Sequence, residues 1–220
     1  GPSLVHAGID RPLANPSLTL VRMSDRSLVA FNDDWERAIN ADQVRASGLA
    51  PAHALEPAIM ATLEPGAYTA IVSGADGGTG EAVVAVYEMD NPQVPLESLA
   101  TRARIASVDD TIIAGFVVQG FDQQDVLISA IGPSLRRAGV ERAVHDPRLA
   151  LVRASDGAVI AFDDNWVASA NAAEIAASGL APADPHESAI LATLPPGAYT
   201  AIMSLAYGDE GTGMVQIFMQ

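Results

Sequence analysis

Acidic and amide side chains cluster twice in this chain, at Asn32-Asp33-Asp34 and at Asp163-Asp164-Asn165, each time after a strand-like run and just before a tryptophan. Hard oxygen ligands packed on one loop are what Ca2+ requires, and Glu56 and Glu187, at matching places further on, can each add a carboxylate from across the fold. The same side chains also suit Asx-turns and caps of the following segment, and no EF-hand spacing is present. Both readings stay open, with calcium as the cofactor to test. Catalytic groupings are weaker. The chain has 4 histidines, His6, His53, His145 and His186, and no cysteine. Ser3 and Ser134 follow a Gly-Pro pair, which makes a rigid turn and not the Gly-x-Ser-x-Gly elbow of hydrolases. Carboxylate pairs abound, but spacing along the chain does not place them at the separation glycoside hydrolysis needs. The glycine-rich stretches at 74–80 and 208–213 have no lysine and no following helix, so they read as hairpin loops and not as phosphate cradles. Trp35, Trp166, Tyr68 and Tyr199 can be sugar platforms, yet each borders an apolar strand and reads better as a core plug with its polar tip satisfied at the edge.

Composition narrows the field further. The 220 residues carry 27 acids against 12 bases, a formal charge of −15, and every base is an arginine. Such a surface repels phosphate backbones and anionic lipid, so nucleic acid and membrane insertion are excluded as expectations. Lysine chemistry is impossible, and so are disulfides and thiolate metal sites. No apolar run approaches the roughly 20 residues of a spanning helix. The opening Gly1-Pro2-Ser3-Leu4 has no leader pattern, so compartment is argued from composition alone. Absence of cysteine and lysine together with strong acidity favours an extracellular or cell-surface protein.

An internal repeat positions these residues. Residues 1–89 lie over 132–220 without a gap at an offset of 131, and roughly half of the aligned pairs are identical. Phe31 and Trp35 meet Phe162 and Trp166. The longest match sets Pro65-Gly66-Ala67-Tyr68-Thr69-Ala70-Ile71 on Pro196-Gly197-Ala198-Tyr199-Thr200-Ala201-Ile202. No histidine is repeated: the counterparts of His6, His53, His145 and His186 are Arg137, Asp184, Ala14 and Leu55. A histidine-based site would therefore belong to one copy only. Residues 90–131 occur once. They open with a proline-rich stretch and continue with strand-like runs at 103–106, 111–119 and 125–131.

Within each copy the apolar period is mostly two. Runs at 18–22, 28–31, 68–72 and 83–87 are bounded by Asp, Gly and Pro, and Asp156-Gly157 with its counterpart Asp25-Arg26 signals a hairpin turn. Asn40 with Gln43 and Asn171 with Glu174 predict an N-cap and its N3 partner. Gly48 and Gly179 predict the left-handed residue that ends the short helix between. The expected architecture is all-β: two tandem jelly-roll-like β-sandwich modules, each with one short helix. Residues 1–89 form a first module lacking its leading strands, 90–98 a linker, and 99–220 a second, complete module. Two other accounts of the short first module remain: a smaller sandwich, or a chain whose start was set elsewhere.

Asp146-Pro147-Arg148-Leu149, Ser155-Asp156-Gly157, Val159-Ile160-Ala161, Asp163-Asp164-Asn165-Trp166 and the run 194–202 together resemble a module repeated in very large secreted or surface proteins of bacteria. The preceding run 126–135 looks like that module's beginning. More distantly, the pattern is similar to the pre-peptidase C-terminal β-sandwich domains of secreted peptidases. The resemblance implies a jelly-roll-like sandwich used for adhesion, substrate anchoring or surface architecture, sometimes with calcium, and Asp33 with Asp164 is the best carry-over.

The resulting expectation is a non-enzymatic extracellular structural or adhesive protein. It assembles with copies of itself into a filament or surface layer through edge strands or module contacts, with surface polysaccharide as a further partner. The alternative is a carbohydrate-binding or substrate-anchoring module of a larger secreted enzyme.

Overall fold

The computed structural model describes residues 1–89, 97–107, 109–207 and 210–219, the side chain of residue 7 excepted. The chain divides into two compact units, Gly1–Val94 and Pro95–Gln220. Of the predicted linker 90–98, only Glu97 and Ser98 are described, and Ser98 already opens a strand. The protein is all-β, and among the described residues no helix is long and apolar enough to cross a membrane.

In the first unit, β1 (Pro16–Arg22), β2 (Leu28–Asn32) and β3 (Tyr68–Gly74) form an antiparallel sheet in the order β2-β1-β3. Ser27 donates its amide to Asp25 Oδ1 at 3.0 Å, closing the β1–β2 turn, and Arg26 adopts φ 59° there. The second copy has Gly157 at this place with φ 69°. Glycine takes that left-handed conformation without steric cost, whereas a side-chain-bearing residue does not. The short helix α1 (Ala41–Ala46) packs beside the Trp35 turn, buries Val44 and ends at Gly48 with φ 75°, as the left-handed stop signal predicts.

The second unit is a complete sandwich. Its strands are β4 (Ser98–Ile105), β5 (Ile112–Val118), β6 (Gln124–Ile131), β7 (Pro147–Arg153), β8 (Val159–Asp163), β9 (Ser188–Leu194), β10 (Gly197–Leu205) and β11 (Gly211–Met219), with the short helix α2 (Ala172–Ala177) between β8 and β9. One four-stranded sheet runs β5-β10-β7-β8 and the other β4-β11-β6-β9, all neighbours antiparallel. The core between them is filled by Val126, Ile128, Leu149, Leu151, Met203, Val215 and Ile217.

β6 is the centre of its sheet, flanked by β11 and β9, and every residue from Val126 to Ile131 is buried. One face meets the opposite sheet. The other is covered by two satellite clusters, Leu127 with Ile175 and Trp166, and Ile131 with Leu135 and Ala143. A strand buried on both sides reads as a continuous apolar run, which is what Val126-Leu127-Ile128-Ser129-Ala130-Ile131 is.

Repeat matching makes β1, β2 and β3 the counterparts of β7, β8 and β10. Both first-strand pairs even carry a register shift at the same place, Leu20/Val21 and Leu151/Val152. The counterparts of β9 and β11 are residues 57–63 and 80–88, and neither forms a strand. The apolar run at 83–87, expected to be a strand, is therefore corrected: it follows an isolated parallel bridge between Pro12 and Glu81 and then pairs with no strand among the described residues. The second copy has the same bridge, Ala143 to Thr212, but there the chain continues as β11 because β4 and β6 lie on either side.

Candidate functional site

The acidic residues singled out by type turn out to bind their own chain. Glu187 is fully buried. Its Oε1 accepts the amides of Gly132 at 3.0 Å and Ser134 at 2.9 Å and the Ser134 hydroxyl at 2.5 Å, and its Oε2 accepts the Asp184 amide at 3.2 Å. Glu56 repeats the device. Its Oε1 accepts the Ser3 amide at 3.0 Å and the Ser3 hydroxyl at 2.5 Å and lies 3.2 Å from the Gly1 nitrogen, while Oε2 accepts the His53 amide at 3.3 Å. Burial by itself would raise the Glu56 carboxyl, but the Ser3 hydrogen bonds and the charge of the Gly1 nitrogen outweigh it and hold the group below its ordinary value. Each carboxylate thus clasps the Gly-Pro-Ser turn to a loop 53 residues away.

Asn32 and Asp163 share another task. Asn32 Oδ1 accepts the Ala58 amide at 2.9 Å and Asp163 Oδ2 accepts the Ala189 amide at 2.9 Å, so each ties its strand to the segment after the clasp. The exchange of Asn for Asp is tolerated because only an oxygen acceptor is needed. The remaining atoms differ: Asn32 Nδ2 donates to the Asp34 carbonyl at 3.2 Å, and Asp163 Oδ1 accepts the Ser169 hydroxyl. Asp34 pairs with Arg37 at 2.9 Å, Asp164 with Arg148 at 3.2 Å, Asp33 is exposed, and Asn165 leads into the Trp166–Ala168 turn without a side-chain cap bond.

These placements do not fit a calcium cage. The oxygens of Asp163, Glu56 and Glu187 already face chain donors, and among the described residues no three His, Asp or Glu side chains gather as a metal-holding group. Tethers between strand and loop, and ion pairs with Arg37 and Arg148, account for the clusters instead, and the expected cap bonds are not made at Asp34 or Asn165. Capping itself differs from expectation: Asn40 and Asn171 stand at the N-caps, but neither makes a side-chain cap bond. Their Nδ2 groups donate instead to the Met60 and Leu191 carbonyls, both at 3.2 Å.

Of the four aromatics expected to be plugs, Trp35 and Tyr199 are buried and Trp166 and Tyr68 half-buried, and the Trp35 Nε1 meets no hydrogen-bond partner among the described residues. Trp35 is buried, with the Arg45 guanidinium 5.3 Å from its ring centre, and Trp166 Nε1 donates to the Asp184 carbonyl at 3.1 Å. Tyr68 and Tyr199 each donate the phenol to a carbonyl four residues upstream, Glu64 at 2.9 Å and Pro195 at 2.8 Å. Tyr199 also stacks on Phe116 at 5.6 Å. The exposed aromatics at matching positions are Phe31 and Phe162. Phe162 borders an open depression of about 620 Å³ on the side of the second sandwich where β8 and β9 are the sheet edges, with Asp164, Asn165 and Asn171 also on its wall.

A titratable group that residue types did not bring out lies in the second unit. Asp184 Oδ1 sits 3.1 Å from His186 Nδ1. The nearby Asp146 carboxyl is raised by burial and by the charge of Asp164, with His186 and Arg148 opposing. Its counterpart in the first copy is Asn15, so this group too belongs to one copy.

The most extensive feature is the open side of the first unit. Residues enclosed in the second copy are uncovered here: Val84 and Val86 are 46% and 52% exposed where Val215 and Ile217 are 0%, and Leu63 is 42% where Leu194 is 3%. Val83 and Tyr87 are exposed beside them. These exposures set the first unit apart from its counterpart, where the positions matching Leu63, Val84 and Val86 lie in the core. An open edge here is what the single occurrence of residues 90–131 leads one to expect, although the surface contains no chemistry-bearing residue.

A scan of protein-family models and a search of the curated proteins found no match to the chain. Among solved structures it is similar to the pre-peptidase C-terminal domain of a collagenase from Bacillus anthracis, with a TM-score of 0.36 and 14% identity over 55% of this chain and 89% of that one.

Proposed function

We propose that this chain is a non-enzymatic structural or adhesive protein of the cell exterior that works by assembling with copies of itself. The observation that carries the reading is the uncovered apolar surface of the first unit, at Leu63, Val84 and Val86, where the second copy buries the same positions. Unpaired strand-like chain beside an exposed sheet edge is costly in isolation and is relieved by pairing with a further strand, and assembly is one source of such a strand. A head-to-tail contact of that kind propagates into a filament or layer when it does not close. The high negative charge and the absence of lysine and cysteine support an extracellular place for such an assembly. Against catalysis stand the non-repeated histidines and the engagement of Ser3 and Ser134 with Glu56 and Glu187. Sedimentation velocity and electron microscopy over a concentration series test the reading. Concentration-dependent oligomers or filaments are expected, and a monomer at the highest concentration overturns it.

A second reading, binding of surface polysaccharide, is favoured by Phe162 at the rim of the depression, with amide and carboxylate side chains beside it. Glycan-array binding abolished by Phe162→Ala, with the fold intact, would move the assignment there.

A further inference from the structure

We propose that the depression beside the β8 and β9 edges of the second unit is a binding site for an uncharged oligosaccharide, open in this copy where the first copy carries an ion pair. The inference rests on the polysaccharide reading, holds whether or not the chain self-assembles, and adds to that reading the place and the chemical class of the ligand.

Much of the wall is common to the two repeats: Ala161, Phe162, Asp164 and Asn171 match Ala30, Phe31, Asp33 and Asn40. Two other wall positions differ. In the first copy the Arg37 guanidinium reaches Asp34 at 2.9 Å, and Asp34 and Trp35 are both buried. In the second copy Asn165 and Ala168 stand at those places, so the pair cannot form, and Asn165 and Trp166 are only half-buried. Asn165 and Ala168 line the depression, and no hydrogen bond ties the Asn165 amide to another described residue. A short apolar side chain thus replaces a long cation, and an amide with its donor and acceptor unused stands at the opening. Beside it, Asn171 gives its Nδ2 to the Leu191 carbonyl and keeps Oδ1 as an acceptor, and Asp164 is half-exposed with Oδ1 accepting from Arg148. Phe162, 60% exposed, supplies a flat apolar face at the rim. An exposed ring among planar amide and carboxylate groups matches a sugar, whose C–H face covers the ring while its hydroxyls meet the polar groups. The volume of about 620 Å³ falls within the range of about 300–1,000 Å³ usual for small-ligand sites. Charge then selects among sugars. No arginine lines the depression, Asp163 and Asp164 do, and the chain carries a formal charge of −15, so an anionic glycan is repelled.

The test titrates the full, isotope-labelled chain with uncharged hexasaccharides of glucose, mannose and N-acetylglucosamine, and separately with an oligogalacturonate of the same length, following backbone amide shifts by nuclear magnetic resonance. Shifts confined to 161–171 and 189–191 are expected with at least one uncharged hexasaccharide and none with the oligogalacturonate. Asn165→Asp together with Ala168→Arg installs the first copy's ion pair, and it should weaken binding by at least about tenfold with the melting temperature unchanged, as should Phe162→Ala. Binding that Phe162→Ala removes but the double change leaves intact overturns the ion-pair account and keeps the polysaccharide reading. Tighter binding of the oligogalacturonate overturns the uncharged class, and shifts at other amides overturn this site; both leave that reading standing. If no hexasaccharide shifts any amide, this site is overturned, and a glycan array that is also blank removes the polysaccharide reading with it.

Discussion

Leu149 and Leu151 are sealed in the second unit, whereas Leu18 and Leu20, the same residues one repeat earlier, are only half-buried. The Pro-Gly-Ala-Tyr-Thr-Ala-Ile run forms a strand in both copies, because its ladder neighbour, β1 or β7, is present in both. Ala-Thr-Leu is also common to both, yet it is a strand at 192–194 and extended unpaired chain at 61–63. The difference between the copies is thus one of partners and not of propensity: β-forming residues become a strand only where a neighbour offers donors and acceptors. With no counterparts of β4 and β6 beside them, the β9-like and β11-like segments have no ladder neighbour among the described residues, and the second sheet is missing from the first unit.

The contrast can be broken most forcefully at the clasps. Glu187→Ala strips a buried acceptor from three amides and a hydroxyl and should destabilise the second unit by about 3–4 kcal/mol, against about 1–2 kcal/mol for Glu56→Ala in the first. Chemical denaturation followed by exchange in each unit separates the two. Ile217→Ala should cost about 2–4 kcal/mol through the cavity it leaves, whereas Val86→Ala, at an exposed place, should stay within about 0.5 kcal/mol, and equal costs would show Val86 to be covered in solution. Arg26→Gly should narrow the gap by stabilising the first unit by about 1 kcal/mol, since it supplies the residue that the second copy uses at the same turn, and a thermal melt reads it. Acidification should act on the first unit through Glu56. Its folded carboxyl lies below the ordinary value, so its stabilisation is complete at neutral pH and is lost as pH falls through the folded pKa. Glu56→Gln should flatten that part of the acid-unfolding curve. Smallest of all, chelator should leave the melting of both units where it was, because the carboxylates are occupied; a drop in melting temperature would reinstate a metal.

Much of this fold was legible wherever pairing is local. The alternating runs at 18–22 and 68–72, the Asp-Gly turn and the glycine helix stops depend on neighbours close in sequence or on backbone conformations only glycine reaches freely. The run at 125–131 announced the strand β6, while its burial on both faces follows from the satellite clusters that cover it. The run at 83–87 misled because its alternation is that of a strand, and only the absence of a partner for it says otherwise. Among the site residues, Asn32 and Asp163 were expected to ligate, turn or cap, and instead tether their strands to amides 26 residues away, which spacing along the chain does not reveal. The clasps of Glu56 and Glu187 could not be seen, since their donors lie 53 residues away and nothing in a Gly-Pro-Ser turn announces the acceptor it will meet.

A chain without cysteine has no covalent way to close a repeat, and here a carboxylate takes that place. Glu56 and Glu187 each turn most of a repeat into a closed ring whose lock is a handful of hydrogen bonds around one side chain. Such a lock is indifferent to the redox state of its surroundings, and in the first unit, where its hydrogen bonds hold Glu56 below the ordinary carboxyl value, it is protons and not reductants that release it.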